Sequence, residues 1–206
     1  REGQIEALII SHEHFDHFWG IGSTLKHSPG ITLYVPEGFH AAGFDLIRQQ
    51  GHTGTVMTVA SAAPLILFDG LALVNFPMNT LLQVGGENVL YAHLQDHGLA
   101  MVTGCGHGGV LHLLDYARHA FTGGERIHAL YGGLHIAPLD DWDEAREQII
   151  ERLRGYAIAK LACNHCTGQR AVARMVELGL PVQRGSARHG SQTDLFLGNG
   201  DVLELG

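Results

Sequence analysis

The run Ser11-His12-Glu13-His14-Phe15-Asp16-His17 follows directly on the apolar stretch Ala7-Leu8-Ile9-Ile10, setting four potential metal ligands within six residues. A β-prone apolar run that ends in His-x-His-x-Asp-His is what a metal centre at the carboxyl end of a strand requires. His12 and His14 alternate with the strand period, so both imidazoles can project to one side and share an ion. Asp16 and His17 fall on the turn beyond, where they are available to a second ion. A solvated, merely histidine-rich turn has no need of this spacing.

Three more histidines follow apolar runs and stand among small residues: His107 in Thr103-Gly104-Cys105-Gly106-His107-Gly108-Gly109, His135 in Tyr131-Gly132-Gly133-Leu134-His135, and His165 in Cys163-Asn164-His165-Cys166-Thr167-Gly168. Glycine beside a ligand lets the backbone turn sharply and leaves room for an ion. A strand, a ligand-bearing loop and a helix thus recur four times along the chain.

The order of these motifs resembles the metallo-β-lactamase superfamily. More closely, the Gly-Cys-x-His loop at residues 104–107, the Gly-Gly-x-His loop at 132–135 and the Cys-His-Cys-Thr-Gly-like loop at 163–168 are similar to those of the subgroup related to an archaeal dihydropterin synthase. The resemblance runs from about Ile5 to about Val172. It implies an α/β fold, the αββα sandwich, as a single domain over 1–206 whose first several strands precede the first motif and are lacking here, which makes the chain read as a fragment.

Carried over residue by residue, the resemblance implies that His12, His14 and His107 hold one metal and that Asp16, His17 and His165 hold the other. It also gives catalytic roles to Asp16 and His135. His135 stands where most of the superfamily has a bridging aspartate. A carboxylate has two oxygens and can span two ions, whereas a neutral imidazole offers one lone pair. His135 is therefore either a direct ligand or a second-layer or substrate-contacting group, and the ions are bridged by water or hydroxide alone unless one site is weak.

Composition bounds the remaining possibilities. With 206 residues, 45% apolar and 17% charged, the chain can bury one substantial core. Its longest apolar stretch, 62–76, is interrupted by Pro64, Asp69 and Gly70, which argues against a membrane protein. A formal charge of -8 argues against a general nucleic-acid surface. Three cysteines make no disulfide framework and point to a reducing, cytoplasmic setting. Cys163-x-x-Cys166 reads as a redox pair, half a zinc knuckle, or packing around the ligand loop, and no second pair completes four thiolates.

The pattern predicts strands at Ala7–Ile10, Ile31–Val35, Ala157–Ala162 and Ile127–Tyr131, and a succession of sheet strands at 55–60, 65–68, 71–76, 89–94 and 99–103. Helices are predicted from Asp16 to about Lys26 and over 37–50, 109–121, 140–155 and 168–178. Asp194–Leu197 and Val202–Leu205 read as a hairpin around Asn199-Gly200. His27, His40, His52, His93, His97, His112 and His119 are expected at the surface, His128 packed in a strand, and His189 in a surface loop beside Arg188.

Zinc is the first choice of cofactor, as one or two divalent ions, with iron or manganese as substitutes. Zinc lowers the pKa of its water to about 7, so a hydroxide nucleophile needs no serine or cysteine attacker and hydrolysis is the default reaction. Resemblance implies a second reading, a transferase that joins a pterin bearing a pyrophosphate leaving group to an aromatic ribose phosphate. A third is a metal-binding module without turnover. Two divalent ions bring +4, and Asp16 with a bridging hydroxide leaves about +2, so the expected partner is an anionic, phosphorylated small molecule.

Overall fold

The apolar run ahead of the first histidines forms strand β1 (Ala7–Ile9). It pairs in parallel with β2 (Thr32–Pro36), which pairs in parallel with β3 (Val56–Val59), in the order β1-β2-β3. This computed structural model describes residues 5–78 and 84–206. The chain divides into two units, the first comprising 1–67 and 72–89, the second 68–71 and 90–206.

In the first unit, parallel neighbours need crossovers, and short helices supply them. Helix α1 (Phe15–Phe18) and helix α2 (Ile21–Leu25) follow β1, and α3 (Ala41–Gln49) joins β2 to β3. The predicted continuous helix from Asp16 to Lys26 is broken at Trp19-Gly20, where Gly20 leaves helical geometry with ψ near 1°. Strand β3 differs from its predicted place as well. It belongs with β1 and β2 rather than in the succession with 65–68, because α3 returns the chain parallel to β2. Ile10, Phe18, Ile21, Leu25, Leu33, Val35 and Ile47 pack as one apolar cluster.

His52 is also buried rather than at the surface, with Nε2 2.8 Å from the Ile31 carbonyl. The polar, glycine-rich neighbours that suggested exposure hide a local requirement: the Ile31 carbonyl sits in the core and takes a ring N–H as its partner.

Strands β4 (Leu65–Phe68), β5 (Leu71–Pro77) and β6 (Gly86–Leu94) come next, and the division between units falls within β6. In the second unit β7 (Gly98–Thr103) lies antiparallel to the end of β6 and parallel to β8 (Ile127–Gly132), which is parallel to β9 (Lys160–Cys163). Helix α4 (Val110–Ala120) crosses from β7 to β8 and α5 (Glu144–Leu153) from β8 to β9. Helix α6 (Gln169–Glu177) follows β9. The expected apolar face of α4 is Val110, Leu113, Leu114 and Ala117, all buried. Leu130, Leu161, Ile150, Leu153, Val172 and Met175 complete this core.

The predicted hairpin near the end does not form. The turn does, with Asp201 N–H donating to Gly198 O at 3.1 Å, but its flanks bind elsewhere. Asp194 O accepts from Gly185 N–H, Glu204 O accepts from Lys160 Nζ, and Asp201 carboxylate oxygens accept from Ser186 and Gly198 N–H. Among the described residues no helix is long and apolar enough to cross a membrane.

Leu33 and Leu130 are both fully buried. Leu33→Ala and Leu130→Ala are each expected to lower unfolding free energy by about 2–5 kcal/mol through lost contact and cavity formation, measured by urea denaturation.

Candidate metal centre

In the first unit the ligand motif begins where β1 ends, and two hydrogen bonds fix that exit. Asn88 donates its backbone N–H to Ser11 O at 2.7 Å and its Nδ2 to Ile10 O at 3.0 Å. His12 is fully buried, and its Nε2 lies 3.1 Å from His14 Nδ1. Two nitrogens bound to one tetrahedral zinc at 2.0–2.1 Å stand about 3.3 Å apart, so this spacing fits a shared ion. The His17 ring centres 4.0 Å from that of His12, and Asp16 Oδ2 lies 3.8 Å from His17 Nε2. Ser11 Oγ is 3.1 Å from His12 Nδ1 and so orients the ring from behind. Glu13 faces elsewhere: its Oε2 accepts from His40 N–H at 2.9 Å, and burial raises its carboxyl above the usual range.

In the second unit three adjacent parallel strands end at the same side, and each is followed by a ligand loop. Parallel strands present their carboxyl-end loops together, which is where open α/β sheets place their sites. The loop after β7 carries Cys105 and His107, that after β8 carries His135, and that after β9 carries His165 and Cys166. Ligand atoms of Cys105, His107 and His135 lie within 4.8 Å of one another, as do those of Cys105, His165 and Cys166. The His107 and His135 rings centre 4.3 Å apart.

The backbone around these loops is tightly constrained. His135 and His165 both adopt left-handed conformations, with φ of 47° and 48°. That region is uncommon outside glycine and collects at functional sites. Gly132 has φ 133°, and a Cβ there would lie 2.2 Å from Thr103 O. A Cβ on Gly133 would lie 2.6 Å from Gly104 O and 2.9 Å from Cys166 Sγ. The Gly-Gly pair is therefore the condition for the three loops to approach one another.

Hydrogen bonds then lock them. Gly133 N–H donates to Gly104 O at 3.2 Å, and Asn164 N–H to Gly132 O at 3.1 Å. Thr103 Oγ1 donates to Gly133 O at 2.7 Å. Thr167, wholly buried, accepts Leu134 N–H on its Oγ1 at 3.1 Å and donates that hydroxyl to Asn164 O at 2.8 Å.

Among the cysteines, Cys163 packs beside the ligand loop, and Cys105 is the candidate donor that sequence reasoning left out. Cys163 and Cys166 do not act as a pair. Cys163 is buried against Met175 Sδ, 3.9 Å away, and burial pushes its thiol up to about 12. Cys166 instead turns to the β7 loop, with Sγ 3.4 Å from Cys105 O. Its neighbours Cys105 and His135 pull its thiol down to about 4, against the opposing effect of burial. The signal for Cys105 lay in its place two residues before His107, on the same glycine-rich turn. The imidazoles and thiol sulfurs of the second unit are a donor set suited to zinc or iron.

No family model matches the chain. Across 208 residues, 84% of this chain and 70% of the relative, it is 23% identical to 7,8-dihydropterin-6-methyl-4-(β-D-ribofuranosyl)-aminobenzene-5'-phosphate synthase of Methanocaldococcus jannaschii. Over 68 residues, 24% of this chain and 27% of the relative, it is 29% identical to hydroxyacylglutathione hydrolase of Aeromonas salmonicida. A solved metal-dependent hydrolase of the β-lactamase superfamily matches 84% of this chain and 73% of its own with a TM-score of 0.67, at 20% identity. The fold is the metallo-β-lactamase fold, as the order of the motifs implied. In sequence the chain is similar to the dihydropterin-related synthase of Methanocaldococcus jannaschii.

Thr167→Val keeps the shape of the side chain and removes both hydrogen bonds, leaving the buried Leu134 N–H without its acceptor. A loss of about 1–3 kcal/mol is expected in denaturation. In the folded protein at pH 8, a thiol-alkylating reagent is expected to leave Cys163 unmodified, checked by peptide mass spectrometry.

Proposed function

We propose that this protein is a metal-dependent hydrolase acting on an anionic, phosphorylated small molecule. The carrying observation is the delivery of Cys105, His107, His135, His165 and Cys166 to one end of three parallel strands, with His12, His14, Asp16 and His17 following β1 in the same manner. Following the resemblance, His12, His14 and His107 are assigned to one ion and Asp16, His17 and His165 to a second, with zinc first and iron or manganese as substitutes. A bound divalent ion supplies Lewis acidity and lowers the pKa of water at neutral pH.

The chain's own residues provide the rest. Ser11 sets the ring orientation of His12, and a properly oriented imidazole is the stronger ligand. Asp16 is assigned, besides ligation, to accept a proton from an attacking group. His135, held in a left-handed conformation with its ring 4.3 Å from that of His107, is assigned to contact substrate or to ligate. A phosphorylated substrate is supported by the archaeal relative, whose own name specifies a 5'-phosphate. A reducing compartment, the cytoplasm, accords with three cysteines of which none is in a disulfide.

The likeness over 84% of the chain to a synthase supports a second reading, a transferase that joins a pterin pyrophosphate to an aromatic ribose phosphate. Incubating metal-loaded protein separately with phosphodiesters, a neutral ester and dihydropterin pyrophosphate separates the two. Hydrolysis of the phosphodiester, reduced at least about 100-fold in both His14→Ala and His165→Ala, is the expected result. Consumption of the pterin pyrophosphate with transfer to the aromatic amine selects the synthase instead. Phosphate-ester turnover that is undiminished in both variants would refute the assignment of ligands.

A further inference from the structure

Cys105 belongs to two donor groups at once. Its sulfur lies within 4.8 Å of the ligand atoms of His107 and His135, and within the same limit of His165 and Cys166. All five residues lie in the second unit, on the loops that follow β7, β8 and β9. Ligands of a tetrahedral zinc, at 2.0–2.1 Å for nitrogen and 2.3 Å for sulfur, stand about 3.3–3.8 Å from one another. With their atoms within 4.8 Å of one another, both groups need to contract by about 1 Å, through side-chain rotation, to close on an ion.

We propose that Cys105 bridges two metal ions as a thiolate, with His107 and His135 on one side and His165 and Cys166 on the other. This rests on the metal-dependent reading given above and adds sulfur to its ligand set. The chemistry supplies what His135 cannot. A neutral imidazole has one lone pair to give, whereas a thiolate carries several and can join two ions. The Cys105 thiol gives its proton to solvent as its sulfur–metal bonds form, and Cys166 binds through its thiolate sulfur.

Packing supports this. Cys105 is 2% and Cys166 8% exposed, and the second sulfur turns away from its sequence partner Cys163 toward the β7 loop. Gly133, where a Cβ would lie 2.9 Å from Cys166 Sγ and 3.1 Å from Cys105 Cα, is the position whose bareness lets the two cysteines meet. Two thiolates offset two of the four positive charges that two divalent ions bring. An anionic substrate then binds by direct ligation more than through net field, and phosphate inhibition changes little with salt.

X-ray absorption of the zinc-loaded full chain reads the sulfur shell directly. Three sulfur–zinc bonds shared by two ions give about 1.5 sulfur neighbours per zinc at about 2.3 Å. Cys105→Ser should lower that about threefold, and Cys166→Ser to about two thirds, while Cys163→Ser leaves it unchanged. Cobalt-loaded wild type should show a thiolate-to-cobalt charge-transfer band, which needs no variant to fold. A metal-loaded protein with only nitrogen and oxygen neighbours overturns the bridging thiolate and leaves the metal-dependent reading standing. A sulfur shell lost equally in Cys105→Ser and Cys166→Ser overturns the bridge. Protein that takes up no metal overturns both.

Discussion

The second unit depends on the close approach of three loops, and that approach rests on a buried hydroxyl and a pair of glycines. Thr167 Oγ1 accepts Leu134 N–H and donates to Asn164 O, so one atom ties the β8 loop to the β9 loop. Gly132 and Gly133 leave no side chain where Thr103 O, Gly104 O and Cys166 Sγ come near. Given those contacts, His135 and His165 are forced into left-handed backbone, a cost that the surrounding hydrogen bonds sustain. Rigid support of this kind is what holds ligands close enough for an ion to bind without reorganising the chain.

Much of this was legible because strand-end motifs carry their own periodicity. His12 and His14 follow an apolar strand, and the structure brings their nitrogens to 3.1 Å. The α4 stripe of Val110, Leu113, Leu114 and Ala117 was equally plain, since helical spacing of apolar residues reports the buried face. The fold class followed from the family resemblance that the histidine motifs carry, which a helix-strand alternation alone does not specify.

What was hidden depended on long-range partners. His52 lies in polar sequence yet is buried, because its acceptor is the carbonyl of Ile31, far away in sequence. Asn199-Gly200 makes its turn, but no ladder follows, because Asp194 and Glu204 carbonyls are claimed by Gly185 and Lys160. The Cys163-x-x-Cys166 spacing left a redox pair, half a zinc knuckle and packing around the ligand loop open, and the fold sends Cys163 into the core toward Met175 and Cys166 toward Cys105. Sequence separation of two cysteines gives no account of which way each side chain turns when one sits on a buried strand and the other on a 3-10 turn.

The donors of the second unit bring together imidazoles of His107, His135 and His165 and the sulfurs of Cys105 and Cys166. Such mixtures favour zinc or iron over magnesium or calcium. The account stands or falls on a bound transition metal at these residues. Anomalous diffraction from crystals of the purified protein, recorded on either side of the zinc and iron edges, tests this most directly. The account predicts strong anomalous peaks within bonding distance of His14 and of His165. Density without any such peak at these histidines, in crystals grown with zinc or iron present, would contradict it.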